Sequence, residues 1–253
     1  LRQDAPEWKK YGETFLEKMA WMRDVTTEKL GPSLWHMHPL VFLGSLKVKG
    51  KTGWAHSPFA TLLGSVESKN DYSAYNVTIT GKCVAHYKSN LTSMRLLDVM
   101  NAQKERNMFA AGRFQIIPDT LKSAVKALNL DTSNFYDEIM QDKIFEEFLI
   151  KIKRPAFINY LEGNGDVEDA IYAWAKEFAS AGVRLGKNIS PKREVIKDEF
   201  GRPKVKHGKR MYKFTPRTAK VEGESYYSGD GLNKAHLLPN DMVKALEDSK
   251  NAK

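Results

Sequence analysis

Apolar residues recur at steps of three and four in several stretches of the chain, which is the spacing of one face of an α-helix. The pattern predicts an amphipathic helix over residues 7–24. It predicts a second helix that begins at Pro58, with Ser57 as its N-cap, and that ends on the carboxylate of Glu67. Pro at the first helical position has no backbone N–H to lose, so it favours a helix start at this point.

The same periodicity predicts further helices between residues 92 and 181 and a short one near the C-terminal end of the sequence. Gly182 is the expected end of the helix that Asp166 caps. The further predicted helices are one capped by Thr92 or Ser93 and including Leu96 to Gln103, one over 119–128 headed by Pro118, helices within 135–162 and 166–181, and a short one over 239–248.

Two stretches have the alternation of strands instead. Residues 71–90 alternate polar with β-branched or aromatic types around Gly81 and Lys82, which predicts a β-hairpin. The strongly basic stretch 184–220 has weak apolar periodicity and could form a hairpin turning at 200–203. We therefore expect a mainly helical α+β fold, with an N-terminal helical extension over 1–50 and a catalytic domain over 51–253 that carries the basic stretch as an insertion.

Composition narrows the class of protein without deciding it. Hydrophobic residues make up 42% and aromatic residues 11% of the 253 positions, which is typical of a globular chain. A net charge of +9 favours polyanionic partners such as nucleic acid, anionic membranes or bacterial cell wall. The single cysteine, Cys83, excludes an internal disulfide and a cysteine-based zinc site. His36 and His38 have no third metal ligand nearby, so a polar turn is the better interpretation.

The sequence shows no apolar run of membrane-spanning length and no signal peptide, and it starts with Leu1. These features lead us to expect a piece of a larger polypeptide, exported by a route that needs no signal peptide of its own.

Glu67 is the strongest candidate for chemistry. Glycoside hydrolysis needs a carboxylic acid that stays protonated near neutral pH and gives its proton to the leaving oxygen. Burial against the apolar face of its own helix would raise the pKa of Glu67. The alternative is an ordinary solvated residue at a helix end, although the helix dipole disfavours a carboxylate there.

A second catalytic group is harder to find. Asp71 is the nearest carboxylate, but an Asp beside Asn70 is commonly a turn residue. The first predicted strand offers Thr78 and Thr80, either of which could hold a water molecule for attack. Catalysis is therefore predicted to rest on Glu67, assisted by Asp71 or by a water on Thr78 or Thr80.

Substrate contacts are predicted from the polar loop after Glu67 and from the small-residue turn at 110–115. A sugar could approach the backbone closely where side chains are small, although a buried Gln that satisfies backbone groups would give the same pattern at Gln115. The predicted glycan-binding set is Tyr72, Tyr75, Asn76, Arg113, Gln115 and Tyr227. The sequence contains no serine nucleophile elbow, phosphate-binding glycine loop or metal-binding helix motif.

Four segments in this order resemble the lysozyme-like hydrolase domain of phage endolysins: GSVESKNDYSAYN, LTSMRLLDVM, FAAGRFQIIPDTL and SYYSGDGLNKAHL. They are similar above all to the domain fused to the C-terminus of some type VI secretion spike proteins of the valine-glycine repeat family. The likeness covers roughly residues 57–246. The segment WHMHPLVFL also resembles one that precedes such domains in secreted bacterial effectors.

The resemblance implies a lysozyme-like fold, a muramidase activity on peptidoglycan with Glu67 as general acid, and no cofactor. It further implies secretion as spike cargo into a rival cell's periplasm and an immunity protein that occupies the cleft, with neither nucleic acid nor membrane insertion expected. Two alternatives stay open. A lytic transglycosylase would need Glu67 but no activated water, and a non-catalytic basic module would bind cell wall or nucleic acid without cleaving it.

Overall fold

The computed structural model describes residues 53–79, 82–88, 90–229 and 234–252, with the backbone alone for residues 78, 79 and 82–88. The predicted extension over 1–50, its helix over 7–24 and the segment around His36 and His38 lie outside the described residues. Within them the chain has an α+β fold, as the sequence predicts. In this described part, no helix combines the length and apolar character needed to cross a bilayer.

Helix α1 runs over Pro58–Glu67, as predicted, and the Ser57 hydroxyl accepts a bond from the Ala60 N–H at 3.5 Å. The hydroxyl of Ser249 accepts a second N–H of the first turn, from Phe59, at 2.8 Å. These bonds satisfy donors that have no partner within the helix. Ser249 lies on the last helix, α7 (Pro239–Asn251), which packs against α1.

In the described part of the chain, five further helices lie between these two. The predicted N-cap at Thr92 or Ser93 is wrong: those residues form a 3-10 turn, Leu91–Ser93, and Arg95 precedes the helix instead. The helices are α2 (Leu96–Lys104), α3 (Pro118–Ala127), α4 (Glu138–Lys143) continuing as a π-helix (Ile144–Lys153), α5 (Ala156–Leu161) and α6 (Val167–Glu177).

The predicted end of α6 at Gly182 is also wrong. The helix ends at Glu177, and Gly182 begins strand β3 (Gly182–Val183), which pairs with β8 (Glu224–Ser225). A Cβ on Gly182 would lie 2.6 Å from the backbone of Gly223, so the glycine permits a close approach of two backbones. Glycine at this position therefore marks a strand contact rather than a helix end.

The predicted hairpin after Glu67 is present. Strand β1 (Ala74–Ile79) pairs antiparallel with β2 (Lys82–Lys88), and the register shifts between Val77 and Thr78. The N–H of Asn76 bonds to the carbonyl of Ala110 at 2.9 Å. The segment 109–111 therefore lies along β1 and joins the hairpin to the helical part.

The basic stretch forms an antiparallel ladder between β4 (Asn188–Val195) and β7 (Tyr212–Thr218). Between them lies a smaller hairpin of β5 (Val205–Lys206) and β6 (Lys209–Arg210). A turn does occur at the predicted place, where the Gly201 N–H bonds to the Asp198 carbonyl at 3.0 Å. The chain bends a second time at Gly208, so the basic stretch forms a longer structure than one simple hairpin.

The core is centred on aromatic side chains from the helices. Phe59 of α1 contacts the rings of Phe145, Phe157 and Trp174, each with centroids 5.6 Å apart. Phe114 stacks on Phe145 at 4.0 Å. Burial of these rings fixes α1, and with it the position of Glu67 at the end of that helix.

Candidate functional site

Glu67 lies where α1 gives way to the polar loop. The helix closes with a bond from the Ser68 N–H to the Gly64 carbonyl at 3.0 Å, and Lys69 and Asn70 then both adopt left-handed backbone with φ of 59°. Two consecutive residues of this conformation turn the chain sharply. The loop thereby leads directly from the carboxylate into strand β1.

The carboxyl group of Glu67 is held by Ser180. The Ser180 hydroxyl donates a hydrogen bond of 2.5 Å to Oε1 of Glu67. Ser180 itself lies in the loop after α6, where its carbonyl accepts bonds from the N–H groups of His236 and Leu237 at 2.6 and 3.0 Å. The serine is therefore fixed by a C-terminal segment and delivers its hydroxyl to the end of α1.

Burial raises the pKa of Glu67 from its ordinary value of 4.5 to about 7, and the Ser180 hydrogen bond acts in the opposite direction. Desolvation disfavours the charged carboxylate, whereas a donor that bonds to the charged form favours it. Because the first effect is larger, Glu67 holds its proton up to neutral pH. A carboxyl group in this state can act as a general acid.

The other predicted catalytic residues have different positions. Oδ1 of Asp71 accepts a bond from the Ser73 N–H at 2.8 Å, and this two-residue spacing is that of an Asx turn. The backbone of Thr78 lies in β1 at the register shift, and its side chain is outside the described atoms. Thr80 lies outside the described residues. Their catalytic roles stay predictions.

Arg113 is buried, with 4% of its surface exposed, and its guanidinium is used inside the protein. Nε donates to Oδ1 of Asn70 at 3.0 Å, and Nη1 donates to the Ala55 carbonyl at 2.6 Å and to the Tyr72 hydroxyl at 3.1 Å. These bonds connect the loop that follows Glu67 to the start of α1. The predicted contact of Arg113 with glycan stays a prediction, and its visible role is to hold the loop.

Gln115 and Asn76, two members of the predicted glycan-binding set, lie in contact with each other. Nδ2 of Asn76 donates to Oε1 of Gln115 at 3.1 Å, and Nε2 of Gln115 donates to the carbonyls of Ala74 and Gly112. Gln115 is buried and has left-handed backbone with φ of 46°. Both amides fasten β1 to the 110–116 turn, which matches the alternative of a buried, backbone-satisfying Gln.

Tyr72 belongs to a polar cluster that the sequence did not reveal. Its hydroxyl donates to Oδ1 of Asp142 at 2.9 Å, while Nε2 of His56 lies 2.9 Å from the other oxygen of the same carboxylate. Burial, followed by the hydrogen bond and charge of Asp142, raises the pKa of Tyr72 to about 12. The tyrosine therefore stays protonated and anchors the loop.

The remaining predicted aromatic residues lie on two separate elements. Tyr75 is partly buried in β1, where it packs against the core. The Tyr227 hydroxyl donates to the Lys176 carbonyl at 2.7 Å, near the end of α6. This bond places Tyr227 on the same helix end that leads to Ser180, four residues after Lys176.

Sequence reasoning missed Ser180, Gln141 and Asp142. Ser180 follows Glu67 by 113 residues in an unremarkable Ala-Ser-Ala segment, so no local pattern indicates the pairing. Gln141 accepts the Arg113 N–H at 2.9 Å and donates to the carbonyls of Tyr72 and Tyr136. One weak signal was available: two adjacent polar residues, Gln141 and Asp142, interrupt the apolar pattern between Met140 and Ile144.

A cavity of about 550 Å³ lies elsewhere, lined in part by Ile189, Arg217 and Glu224, and Glu67 is not among its lining residues. Among the described residues, no three His, Cys, Asp or Glu side chains are grouped so as to hold a metal ion.

Comparison of the chain with protein-family models, with curated proteins and with solved structures finds no match. The geometry around Glu67 therefore carries the functional argument, together with the resemblance of the four sequence segments.

Proposed function

We propose that this chain is a peptidoglycan muramidase that uses Glu67 as its general acid. One observation carries the proposal. Glu67 is the last residue of an apolar helix, its carboxyl group has a pKa of about 7, and a polar loop and a β-hairpin follow it directly. Most exposed glutamates are fully ionised at neutral pH and cannot donate a proton. The order of helix, acid and hairpin also supports a lysozyme-like fold, which is part of the proposal.

In this mechanism, protonated Glu67 gives its proton to the glycosidic oxygen between muramic acid and glucosamine units. The bond from the anomeric carbon to that oxygen breaks, and the sugar passes through an oxocarbenium-like state. Glu67 is then a carboxylate in a partly buried site. The Ser180 hydroxyl, 2.5 Å away, stabilises that charge as it develops.

Two reactions are possible from this state, and they differ in which group attacks the sugar cation. In a muramidase a water attacks the anomeric carbon, oriented by Asp71 or by a threonine on β1, and its proton passes to Asp71 or back to the Glu67 carboxylate. In a lytic transglycosylase a hydroxyl of the same sugar attacks that carbon and closes a ring. The hydroxyl proton returns to the Glu67 carboxylate, so no second catalytic group is needed. Oδ1 of Asp71 already accepts the Ser73 N–H in the Asx turn. This bond leaves Asp71 less able to orient a water, so it favours the transglycosylase as the alternative reaction.

The resemblance to spike-borne effectors supports two further parts of the proposal. The enzyme would reach a rival cell's periplasm as part of a secretion-spike polypeptide, and an immunity protein would block the region around Glu67. A non-catalytic wall-binding module is the competing function. It predicts binding to peptidoglycan without cleavage.

The experiment is to digest purified peptidoglycan with the wild-type protein and with Glu67→Gln, and to identify the soluble products by mass spectrometry. Glu162→Gln is the matched control, because Glu162 lies at a helix end as well, directly after the last residue of α5, but is exposed. We expect at least about a 100-fold loss in Glu67→Gln, on the scale of lost acid catalysis, and no loss in the control.

Reducing-end products from wild type would support the muramidase, and anhydro ends would move the assignment to the transglycosylase. An active Glu67→Gln protein would remove the proposed acid. Binding without release of products from any variant would leave the binding module as the function.

A further inference from the structure

The β4–β7 ladder and the β5–β6 hairpin form a projecting segment, residues 188–218, which we call the basic arm. All ten residues from Gly201 to Arg210 are exposed, and most of the flanking ladder is exposed as well. A two-stranded hairpin with neither face covered is only marginally stable in water. The exposure of both faces marks the basic arm as a surface for a partner.

Charge restricts the kind of partner. The basic arm has ten Lys or Arg side chains against three Asp or Glu, a net +7, where the whole chain carries +9. Two of the three acids are used within the arm, by Lys192 with Glu194 and by Arg202 with Asp198. Among the described residues, the other eight cations of the arm have no ion pair. Arg193 lies over the Tyr212 ring and Arg217 donates to backbone carbonyls. The remaining six are Lys197, Lys204, Lys206, Lys209, Arg210 and Lys213.

Large apolar side chains are exposed among these cations. Phe200 is 70% exposed, Phe214 59% and Val205 58%. Arg193 pairs across the ladder with Phe214, and Val195 pairs with Tyr212. Residues two apart on a strand share a face, so one face of the ladder presents cationic and apolar side chains together.

We propose that the basic arm binds the surface of an anionic phospholipid bilayer. Lysine and arginine side chains are attracted to anionic headgroups, and exposed apolar side chains gain free energy when they leave water at the interface. The proposal concerns peripheral binding of the arm and does not depend on the activity proposed for Glu67.

Other partners fit less well. A second copy of the chain would bring two arms of the same strong positive charge together. Nucleic acid would stack bases on exposed rings, but a guanidinium already lies over two of the three Phe and Tyr rings of the arm: Arg193 is 3.5 Å from the centre of the Tyr212 ring and Arg202 is 5.0 Å from that of Phe200. The exposed aliphatic side chain of Val205 would also gain nothing from a polyanion in solution.

The experiment measures sedimentation of the full chain with vesicles of phosphatidylcholine alone, or mixed with about one third phosphatidylglycerol, an anionic lipid. The test variant combines Lys204→Gln, Lys206→Gln, Lys209→Gln and Arg210→Gln. The control combines Lys104→Gln, Lys122→Gln, Lys126→Gln and Lys143→Gln, which removes the same charge from exposed helical positions outside the arm. We expect the wild type to bind the anionic vesicles only, the arm variant at least about tenfold more weakly, and the control to within about twofold of wild type.

Equal weakening in the arm variant and the control would show a net-charge effect and overturn the assignment to the arm. If the wild type bound purified peptidoglycan or single-stranded DNA but no vesicles, the lipid assignment would be overturned.

A second variant tests the apolar contact. Phe200→Ser with Phe214→Ser should make vesicle binding more sensitive to salt, and an unchanged salt dependence would overturn this contact. Glu67→Gln should bind vesicles like wild type, so failure of the enzymatic proposal is distinguishable from failure of this one.

Discussion

Ser180 donates a 2.5 Å hydrogen bond to Glu67 across 113 residues of sequence. The two groups act on one equilibrium in opposite ways: burial of Glu67 favours its protonated form, and the serine hydroxyl favours the carboxylate. The pair therefore sets the pH at which the proposed acid loses its proton. Ser180 is a positioning residue in this description, because it acts on substrate only through Glu67.

Ser180→Ala should raise the pKa of Glu67 above about 7, since the donor that stabilises the carboxylate is lost. A general acid works in its protonated form, so activity falls as pH rises through its pKa. The alkaline limb of the pH profile should therefore move to higher pH. The measurement is kcat/KM against pH with dye-labelled peptidoglycan.

Ser65→Ala is the control for that substitution. Ser65 lies exposed on the same helix, and its hydroxyl donates to the Leu62 carbonyl at 2.7 Å. Its profile should coincide with that of wild type. An alkaline limb that stays in place in Ser180→Ala would show that the hydrogen bond does not govern the proposed acid.

Glu67→Gln should change stability in a pH-dependent way. With a pKa of about 7 in the folded protein against an ordinary 4.5, the folded state keeps a proton that the unfolded state releases. The stability due to that proton is fully present below pH 4.5 and is lost as pH rises through about 7. Glutamine is neutral throughout, so the variant should be about 1 to 3 kcal/mol more stable than wild type at pH 8, and similar to it at pH 4.

Urea unfolding at the two pH values measures this difference. Glu162→Gln changes an exposed glutamate and should show no pH-dependent difference from wild type. The difference in free energy of unfolding between Glu67→Gln and wild type could instead be the same at both pH values. In that case the carboxylate would not be desolvated in the folded protein, and its pKa would have no reason to be raised.

Arg113→Lys should destabilise the fold by about 2 to 4 kcal/mol, because a single ammonium group cannot replace the bonds to Asn70, Ala55 and Tyr72. Thermal unfolding checks this value, with the exposed Arg106→Lys as control. A variant of wild-type stability with a raised KM would instead restore the sequence-based interpretation of Arg113 as a glycan ligand.

The parts of the fold that the sequence predicted are those specified by local patterns. Ser57 and Pro58 set the start of α1, and alternation after Asp71 set the hairpin. Boundaries set by distant contacts were missed. Gly182 resembles a helix end, but it is a glycine because the backbone of Gly223 approaches it.

The candidate site divides in the same way. The sequence indicated Glu67 because the residue ends an apolar helix. The raised pKa agrees with the expected effect of burial, and the catalytic role stays a prediction. It could not indicate Ser180, because the loop after α6 meets α1 only through tertiary packing. It grouped Asn76 with Gln115, but it could not show that their amides bond to each other and to backbone.

Gly64→Ala should disturb the loop that follows Glu67. On helical propensity alone, alanine would stabilise α1 by up to about 1 kcal/mol. A Cβ at this position, however, would lie 2.3 Å from Oδ1 of Asn70 and 3.1 Å from Nε of Arg113. Asn70 would have to move, and its bonds to Arg113 and to the Thr61 carbonyl would weaken. The net effect should be a loss of about 1 to 3 kcal/mol in the free energy of unfolding measured with urea, as in other overpacked sites, with reduced glycan cleavage.

Ser65→Ala is the control for this substitution: it lies one position along on the exposed side of the helix and should not lose stability. A stabilised Gly64→Ala protein would mean that propensity outweighs the contact and that the Asn70 loop yields without cost.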